Sequence, residues 1–335
     1  MQQRGLLVTG TRRLGQTNIG ISSLGLGTWQ FSEGRSLAGL MWSALPDGEV
    51  DAIVATALRE GITWFDTAEH YGKGRAERAL SRSLQVAGKK DGELMVATKW
   101  WPAFRSARSI RRTFPERVQS LSPFSVGLHQ IHWPWSLSSL SLQMKEMAGL
   151  VAEGKVQAVG VSNFSAAQMR SAHSMLASYD IPLASNQVKY SLLDRRIEAN
   201  GVLDAAKELN ITIIAYSPLD MGLLSGKFHA DPDLLRSRPR MRRAQLRRQL
   251  AKSRDLVEAL QRIASVRGMT TTQVALHWLV NFHGDTVVAI PGATKPEHVS
   301  QNAVAMRISL TPEEMREIHE LSRVENSENG EKAEE

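Results

Sequence analysis

Short apolar runs alternate along the chain with longer stretches in which apolar residues recur at a helical spacing. The short runs are five to seven residues long and contain many Val and Ile residues, which is typical of buried β-strands. We therefore predict eight strands, at residues 21–26, 62–66, 94–99, 126–132, 158–162, 184–188, 211–216 and 286–290.

The longer stretches predict helices that connect one strand to the next. Residues 252–281 predict two further helices between the seventh and eighth strands, so this connection carries an extended loop and helix insertion. Strands that alternate with helices indicate a parallel α/β fold. The other helices are expected at residues 49–60, 75–84, 137–152, 166–178, 198–209 and 296–305.

A closed (β/α)8 barrel, the TIM barrel, is favoured over a doubly wound open sheet. Eight strands at a spacing of about 35 residues fit the usual barrel of roughly 250 residues with insertions. No linker rich in Pro, Gly or Ser divides the chain, so residues 1–325 are expected to form one domain. An N-terminal β-hairpin from residues 6–8 and 12–15 would close the bottom of the barrel. The acid-rich residues 326–335 are predicted to form a disordered tail.

Composition narrows the classes of function that the chain can have. Its 335 residues include no cysteine, which excludes disulfides and thiolate chemistry. No apolar run approaches the roughly 18 residues of a membrane helix, and the N-terminal residues do not resemble a signal peptide. We therefore expect a cytoplasmic protein with no membrane partner.

The net charge of +7 comes from one segment. Residues 236–254 contain nine Arg and Lys residues and no acid, and removing these charges leaves a net charge of −2. A solvated helical face is the simplest interpretation of this basic run. Nucleic-acid binding is not expected, because the run has no aromatic residues on which bases could stack.

Polar residues stand where three consecutive predicted strands end. Asp66, Lys99 and His132 end the second, third and fourth strands, and Tyr71 lies on the loop after the second. Catalytic groups of barrels gather at these strand ends, and an ammonium group near a tyrosine hydroxyl lowers its pKa, which suits proton donation to a carbonyl oxygen. Taken singly, a structural Asp66–Lys99 ion pair and a core His132 are the alternatives. No metal is expected, because His129 and His132 are three apart on a strand and point to opposite faces.

Six segments, in this order along the chain, resemble the signature segments of the aldo-keto reductase family. Each segment alone is weakly specific, but six in order are strong evidence, and the resemblance extends over residues 13–321. The fold of that family is the (β/α)8 barrel expected above. The segments are DTAEHYG at 66–72, ATK at 97–99, QIHWP at 130–134, GVSNF at 160–164, NQV at 186–188 and AYSPL at 215–219.

The resemblance implies reduction of aldehydes and ketones to alcohols by hydride transfer from NADPH, with NADH as a possible substitute. Tyr71 would be the general acid, Lys99 would tune its pKa, Asp66 would hold Lys99, and His132 would orient the carbonyl group. The cofactor would lie extended across the barrel mouth. The implied cofactor-binding residues are Thr28, Trp29, Asp66, Ser162, Asn163, Gln187, Tyr216, Ser217, Pro218, Leu219, Gly222, Ser225, Lys227, Gly292, Thr294, Lys295, His298, Gln301 and Asn302.

Departures from the family pattern lie at the phosphate-binding end. Many members carry lysine and arginine at the positions of Gly292 and His298, where both grip a 2′-phosphate. Thr294, at a helix start, and Lys295 would serve that phosphate here. Asp220 replaces a usually small residue, and its carboxylate would repel the pyrophosphate unless it turns away or pairs with a base.

Tryptophans indicate the class of substrate. Trp29, Trp100, Trp101 and Trp133 are expected to line the substrate pocket, and aromatic-lined pockets favour carbonyl compounds with an apolar body.

Three further expectations come from the resemblance. In relatives the counterpart of residues 236–254 can fold over the cofactor, so some of its arginines would meet the phosphates. The alternative function is an NADPH-binding regulatory or sensor barrel with slow or no turnover. Members of the family are often monomers, which makes a monomer the expected state.

Overall fold

Eight parallel strands, each hydrogen-bonded to the next along the chain, form the sheet that carries the site. The computed structural model describes residues 11–32 and 43–330. Strands β1 (Thr11–Arg13) and β2 (Gly20–Ser22) form a separate two-stranded sheet. The eight parallel strands are β3 (Leu26–Gly27), β4 (Trp64–Asp66), β5 (Met95–Trp100), β6 (Val126–Ile131), β7 (Val156–Ser162), β8 (Leu183–Lys189), β9 (Thr212–Tyr216) and β10 (Val287–Ala289).

The sheet, which runs in order from β3 to β10, closes on itself. The Gly25 amide donates to the Ala289 carbonyl at 2.8 Å, and the Ala289 amide donates to the Ser23 carbonyl at 3.0 Å. The last strand therefore returns to the first, and the predicted (β/α)8 barrel is confirmed.

Helices follow the strands on the outside of the barrel. Capping boxes begin α5, at Ser165 and Gln168, and α11, at Thr270 and Gln273, and satisfy amides that a helix start leaves unpaired. The helices are α1 (Asp47–Arg59), α2 (Arg75–Val86), α3 (Arg108–Leu121), α4 (Leu140–Ala152), α5 (Ala166–Ala177), α6 (Arg196–Ala199), α7 (Val202–Glu208), α8 (Lys227–Ala230), α9 (Arg240–Leu250), α10 (Arg254–Val266), α11 (Thr271–Asn281), α12 (Pro296–Val304) and α13 (Pro312–Gly330).

The extended connection between the last two strands is confirmed and contains α8 to α11. The prediction did not include α3, although Ile110, Phe114 and Leu121 are buried at a helical spacing. Pro115 lies in the middle of this helix, where proline normally argues against one. The helix predicted at 198–209 is divided into α6 and α7, with Gly201 in a left-handed conformation between them.

The strand predicted at residues 21–26 is wrong. Gly20–Ser22 belongs to an antiparallel hairpin with Thr11–Arg13, and the first barrel strand is only Leu26–Gly27. Between the two, Gly25 passes so close to the Trp64 ring that a Cβ atom there would lie 2.4 Å from it. The predicted N-terminal hairpin is present with these partners, and residues 6–8 lie outside the described residues.

The hairpin seals one end of the barrel. Leu14 and Ile21 are fully buried in one apolar cluster with inward-facing barrel residues such as Leu128 and Val288. A larger apolar cluster lies between the strands and the helices. Polar side chains are therefore left for the opposite end, where the strands terminate.

Helix α13 extends to Gly330, into the segment 326–335 that was predicted as a tail. Residues 331–335 lie outside the described residues. No helix within residues 11–32 and 43–330 combines the length and the hydropathy that crossing a membrane requires.

Candidate active site

One cavity of about 700 Å³ opens at the C-terminal ends of the barrel strands. Every residue that the resemblance implied for the cofactor lies in its wall, from Thr28 after β3 to Asn302 in α12. These residues lie at or after the ends of six different strands, and the parallel sheet brings them together because its strand ends share one edge.

The predicted acid, base and tyrosine form one hydrogen-bonded chain. Lys99 Nζ lies 2.5 Å from Asp66 Oδ1 and 3.4 Å from the Tyr71 hydroxyl. Asp66 and Lys99 end the neighbouring strands β4 and β5, which places their side chains side by side. The second carboxylate oxygen, Asp66 Oδ2, accepts hydrogen bonds from Gln187 Nε2 at 2.9 Å and Gln130 Nε2 at 3.3 Å. The buried ion pair is thus fully satisfied, and its geometry aims Lys99 at Tyr71.

Burial and the nearby charges together set the pKa of Tyr71. Burial alone lowers the pKa of Lys99, but the Asp66 carboxylate and Tyr71 outweigh this effect, so the net pKa is raised and the ammonium stays charged. Burial raises the pKa of Tyr71 more than Lys99 lowers it. The lowered tyrosine pKa that the sequence suggested is therefore not the net result. Tyr71 holds its proton at neutral pH, while Lys99 offsets part of the cost of forming the phenolate.

His132 faces the same space as Tyr71. The two ring centroids are 5.8 Å apart with an interplanar angle of 77°. Burial, and then the Lys99 charge, hold the pKa of His132 well below its ordinary value, so the ring is neutral. Its Nδ1 has no hydrogen-bond partner among the described residues, and the ring is therefore available to a bound molecule.

Polar groups at the ends of β7, β8 and β9 form the opposite wall. The Ser162 hydroxyl donates to the Gln187 carbonyl at 2.8 Å, and Asn163 Nδ2 donates to the Ser162 hydroxyl at 3.0 Å. The Tyr216 hydroxyl donates to Asn163 Oδ1 at 3.1 Å. Asn163 adopts a left-handed backbone with φ of 61°, a conformation that Asn tolerates better than most residues. This network fixes side chains that the resemblance assigned to the carboxamide and the nicotinamide ring.

Three of the four predicted substrate-pocket tryptophans, Trp29, Trp101 and Trp133, line the cavity. Trp100 is a correction, because its side chain is only 1% exposed and its indole N–H donates to Ser109 of α3 at 3.0 Å. Successive residues of a strand point to opposite faces, so Trp100 points to the helices while Lys99 points into the barrel.

The sequence interpretation missed His70, which lines the cavity with the tryptophans; we call Trp29, His70, Trp101 and Trp133 the aromatic wall. The His70 ring stacks on Trp101 with a centroid distance of 4.1 Å and an interplanar angle of 11°. Its place directly before Tyr71 was the available signal.

A cluster of four cationic side chains and one histidine forms the far end of the cavity. We call Lys227, Arg238, Arg242, Lys295 and His298 the cationic end, and all five line the cavity. Burial, followed by repulsion from Arg238, Arg242 and Lys295, lowers the pKa of Lys227. Burial and then Arg238 lower the pKa of Arg242 to about 10. The four Lys and Arg side chains are therefore close enough for repulsion, and an anion would relieve this repulsion. Burial, and then Lys227 and Lys295, lower the pKa of His298 below its ordinary value, so its ring is neutral at neutral pH.

Two of these cations were not among the predicted site residues. Arg238 and Arg242 belong to the basic run 236–254, for which a solvated face was the simplest interpretation. Arg242 Nη2 donates to the Met221 carbonyl at 2.8 Å, and Arg238 Nε is buried with no acceptor among the described residues. Part of the basic run thus faces the cavity.

Asp220 is turned away from the cavity. It is buried and does not line the wall, and its Oδ1 lies 3.4 Å from Lys189 Nζ in an ion pair. Burial raises the pKa of Asp220, and Lys189 offsets part of this effect. The expected conflict with a pyrophosphate is thereby avoided.

Known proteins resemble the chain in sequence and in fold. The sequence profile of the Aldo/keto reductase family matches residues 23–323. The chain is 32% identical over 313 residues to a chloroplastic pyridoxal reductase of Arabidopsis thaliana, covering 90% of this chain and 83% of that protein.

Solved structures of other proteins have a fold similar to that of this chain. A glycerol dehydrogenase from Gluconobacter oxydans has a TM-score of 0.76 and 30% identity, covering 93% of this chain and 95% of that one. An aldo-keto reductase from Klebsiella pneumoniae in complex with NADPH has a TM-score of 0.71 and 26% identity, covering 94% of this chain and 95% of that one.

Proposed function

Because the chain belongs to the aldo/keto reductase family, we propose that it reduces aldehydes and ketones to alcohols with NADPH, and that Tyr71 is the general acid. The observation that carries this proposal is the chain of contacts from Asp66 through Lys99 to the Tyr71 hydroxyl, which ends beside His132 at the cavity.

Each of the four residues has a definite task in the reaction. When bound, NADPH supplies a hydride from C4 of its nicotinamide to the carbonyl carbon. Tyr71 gives its proton to the carbonyl oxygen as the C=O π electrons move onto that oxygen, which produces the alcohol. Lys99, held by Asp66, stabilises the phenolate that Tyr71 becomes. His132, which is neutral, donates a hydrogen bond that fixes the carbonyl oxygen near the Tyr71 hydroxyl.

The residues present fit NADPH. The cationic end concentrates positive charge where the phosphates of an extended dinucleotide would lie, and the buried Arg238 Nε lacks an acceptor that a phosphate oxygen would provide. Gly222 lines the cavity and carries no side chain, so a phosphate can approach the backbone closely there. NADH lacks the 2′-phosphate and would use fewer of these contacts.

The aromatic wall supports an aldehyde or ketone with an apolar body as substrate. The Arabidopsis relative is named a pyridoxal reductase, which makes a flat aromatic aldehyde a sensible first compound to test. A cytoplasmic monomer remains our expectation for the state of the protein.

The test compares the wild type with Tyr71→Phe in NADPH oxidation with benzaldehyde, pyridoxal and butanal. Tyr179→Phe, which alters a surface tyrosine, is the matched control. We expect Tyr71→Phe to lower kcat by about a hundredfold or more, since general acid catalysis contributes about 10²–10⁴-fold. The Kd of NADPH should stay the same in both variants.

Two results would contradict the proposal. If Tyr71→Phe keeps wild-type turnover, Tyr71 is not the acid. If the wild type binds NADPH tightly but turns over none of these compounds, the regulatory or sensor function replaces the enzymatic one.

A further inference from the structure

An arginine behind the site binds two buried carboxylates. Arg117 lies on α3 and is only 6% exposed. Its Nη1 donates to Glu69 Oε2 at 2.7 Å, and its Nε lies 3.2 Å from Glu77 Oε2. We call Arg117, Glu69 and Glu77 the buried ion cluster. None of the three lines the cavity, so the cluster acts on the site only through other residues.

The two carboxylates stand at the two ends of the segment that carries Tyr71. Glu69 precedes Tyr71 by two residues on the loop after β4, and Glu77 lies in the first turn of α2. Because one guanidinium binds both carboxylates, Arg117 joins both ends of this segment to α3.

The same carboxylates also bind the chain on both sides of Lys99. Glu77 Oε1 accepts a hydrogen bond from the Thr98 hydroxyl at 2.6 Å, and Glu69 Oε1 accepts one from the Trp101 amide at 2.5 Å. Thr98 directly precedes Lys99, and Trp101 follows it by two residues. The buried ion cluster therefore fixes the segment that holds the general acid against the strand that holds Lys99.

The contact between Lys99 and Tyr71 needs this support. Lys99 Nζ lies 3.4 Å from the Tyr71 hydroxyl, near the upper limit of a hydrogen bond. Its closer partners are Asp66 Oδ1 at 2.5 Å and the Thr67 carbonyl at 2.9 Å. An outward movement of Tyr71 would leave Lys99 with these two partners but would end its effect on the phenolate. A displacement of about 1 Å can lower a rate by about a hundredfold.

We propose that Arg117 is a positioning residue, which acts through the buried ion cluster to hold the Tyr71 hydroxyl within reach of Lys99. The inference rests on the proposed carbonyl reduction and deepens it. A buried ion cluster contributes little net stability, because the loss of hydration offsets the attraction between its charges. Its effect here is a fixed arrangement of the chain around Tyr71.

Arg117→Met tests the proposal, because it removes the cation and leaves a buried side chain in place. We expect the single-turnover rate of NADPH oxidation with benzaldehyde to fall by about tenfold to a hundredfold, since the general acid is displaced. The KM of benzaldehyde and the Kd of NADPH should change by less than about threefold, because the cluster does not line the cavity. Arg117→Lys, which restores a cation without the forked guanidinium, should recover part of the rate.

A combination with Tyr71→Phe shows whether the effect passes through the general acid. Arg117→Met should lower the residual rate of Tyr71→Phe by less than about twofold, because the hydroxyl that Arg117 positions is already absent. A merely structural role would lower the rate equally in both backgrounds.

Arg195→Met is the matched control for lost stability. Arg195 is 3% exposed, donates to Glu198 and to Ser322 of α13, and does not line the cavity. Its loss should lower the urea midpoint of unfolding and leave the single-turnover rate at the wild-type value.

A second variant replaces Arg117→Met if that variant does not fold. Arg117→Met combined with Glu77→Gln removes one cation and one anion and leaves Glu69 bound to Arg105. The same loss of rate is expected, because the link from α3 to the segment of Tyr71 is again cut.

Hydrogen exchange gives a readout that needs no turnover. The Gly74 amide donates to the Glu69 carbonyl at 2.9 Å, and the Ala76 amide donates to the Tyr71 carbonyl at 3.3 Å. Both amides should exchange about tenfold faster in the Arg117 variant than in the wild type, and Arg195→Met should leave them unchanged.

The outcomes separate the two proposals. A wild-type rate in the Arg117 variant, an equal loss in Arg195→Met, or an equal loss in the Tyr71→Phe background overturns the positioning role and leaves the proposed function intact. A wild type that reduces no aldehyde contradicts the proposed function itself. The exchange experiment then still decides whether Arg117 holds the segment, and unchanged exchange overturns the inference.

Discussion

The cationic end makes a sharp prediction about cofactor choice, and Arg238→Gln tests it. Arg238 lies near Lys227 and His298, because its charge contributes to the lowered pKa of both. His298 belongs to α12, where the adenosine end of the cofactor would lie. Glutamine keeps a polar side chain and removes the charge. We therefore expect the variant to lose a contact that only a 2′-phosphate makes.

The magnitude follows from two opposing effects. A hydrogen bond to a charged group contributes about 1.5–3 kcal/mol, which corresponds to about tenfold to hundredfold in Kd. Removal of Arg238 also relieves its repulsion of Lys227, which makes the remaining positive charge less costly and offsets part of the loss. We expect the Kd of NADPH to rise by about tenfold, the lower end of this range, and that of NADH to change by less than about threefold.

The assay is a titration of each cofactor, followed by quenching of tryptophan fluorescence. Arg247→Gln is the matched control, because Arg247 lies on α9 of the same basic run with an exposed side chain. If Arg238→Gln weakens NADPH and NADH equally, Arg238 does not recognise the 2′-phosphate. If Arg247→Gln has the same effect as Arg238→Gln, the overall charge of the run matters and the cavity contact does not.

Three further substitutions have defined outcomes. Lys99→Met leaves Asp66 as a buried charge without its cation, so we expect kcat to fall and the free energy of unfolding in urea to drop by about 3–5 kcal/mol; unchanged stability would contradict the buried pair. Asp220→Asn should stabilise the protein in urea at pH 8, because a raised native pKa destabilises the fold above the ordinary value of 3.8, and the gain should shrink as the pH falls toward that value. A loss of stability at pH 8 would mean that the ion pair with Lys189 outweighs burial. Burial, and secondarily Arg117, lower the pKa of His129 to about 3, so the native state resists protonation and loses stability as the pH falls from 6.5 toward 3, by about 1.4 kcal/mol per pH unit. His129→Leu should remove this part of the slope in urea unfolding, and an unchanged slope would show that other groups cause it.

The four candidate catalytic residues could be predicted from the sequence because each has a definite position relative to a predicted strand. Asp66, Lys99 and His132 end apolar runs that are typical of buried strands, and Tyr71 lies on the loop after one of them. A parallel barrel puts such positions on one edge, so strand order along the chain was enough to bring them together.

Trp100 shows the limit of the same reasoning. Trp100 and Trp101 are alike in sequence, but Trp101 lines the cavity while Trp100 packs against α3. Alternation along β5 decides between them once Lys99 is known to point inward. The net pKa of Tyr71 is a similar case, since burial and charge oppose each other and only the packed structure sets their balance.

The first strand depended on a distant residue. Residues 21–26 look like one continuous strand in the sequence, yet the strand is interrupted between Ser22 and Leu26, where Gly25 packs against the Trp64 ring. No local pattern contains that contact, because the two positions are brought together only by the pairing of β3 with β4.

The sequence by itself determined the barrel, its strand order and the positions of the four candidate catalytic residues, three at strand ends and one on the following loop, because these positions follow from the periodicity of apolar and polar residues. Only the tertiary structure decided how the basic run is divided. Leu246 packs into an apolar cluster with Phe228, which orients α9 and turns Arg242, one helical turn earlier, toward the cavity, while Arg247 and Arg248 face solvent. The physical reason is that the run is uniformly basic. Charge alone cannot tell one face from another until the helix has packed against the barrel.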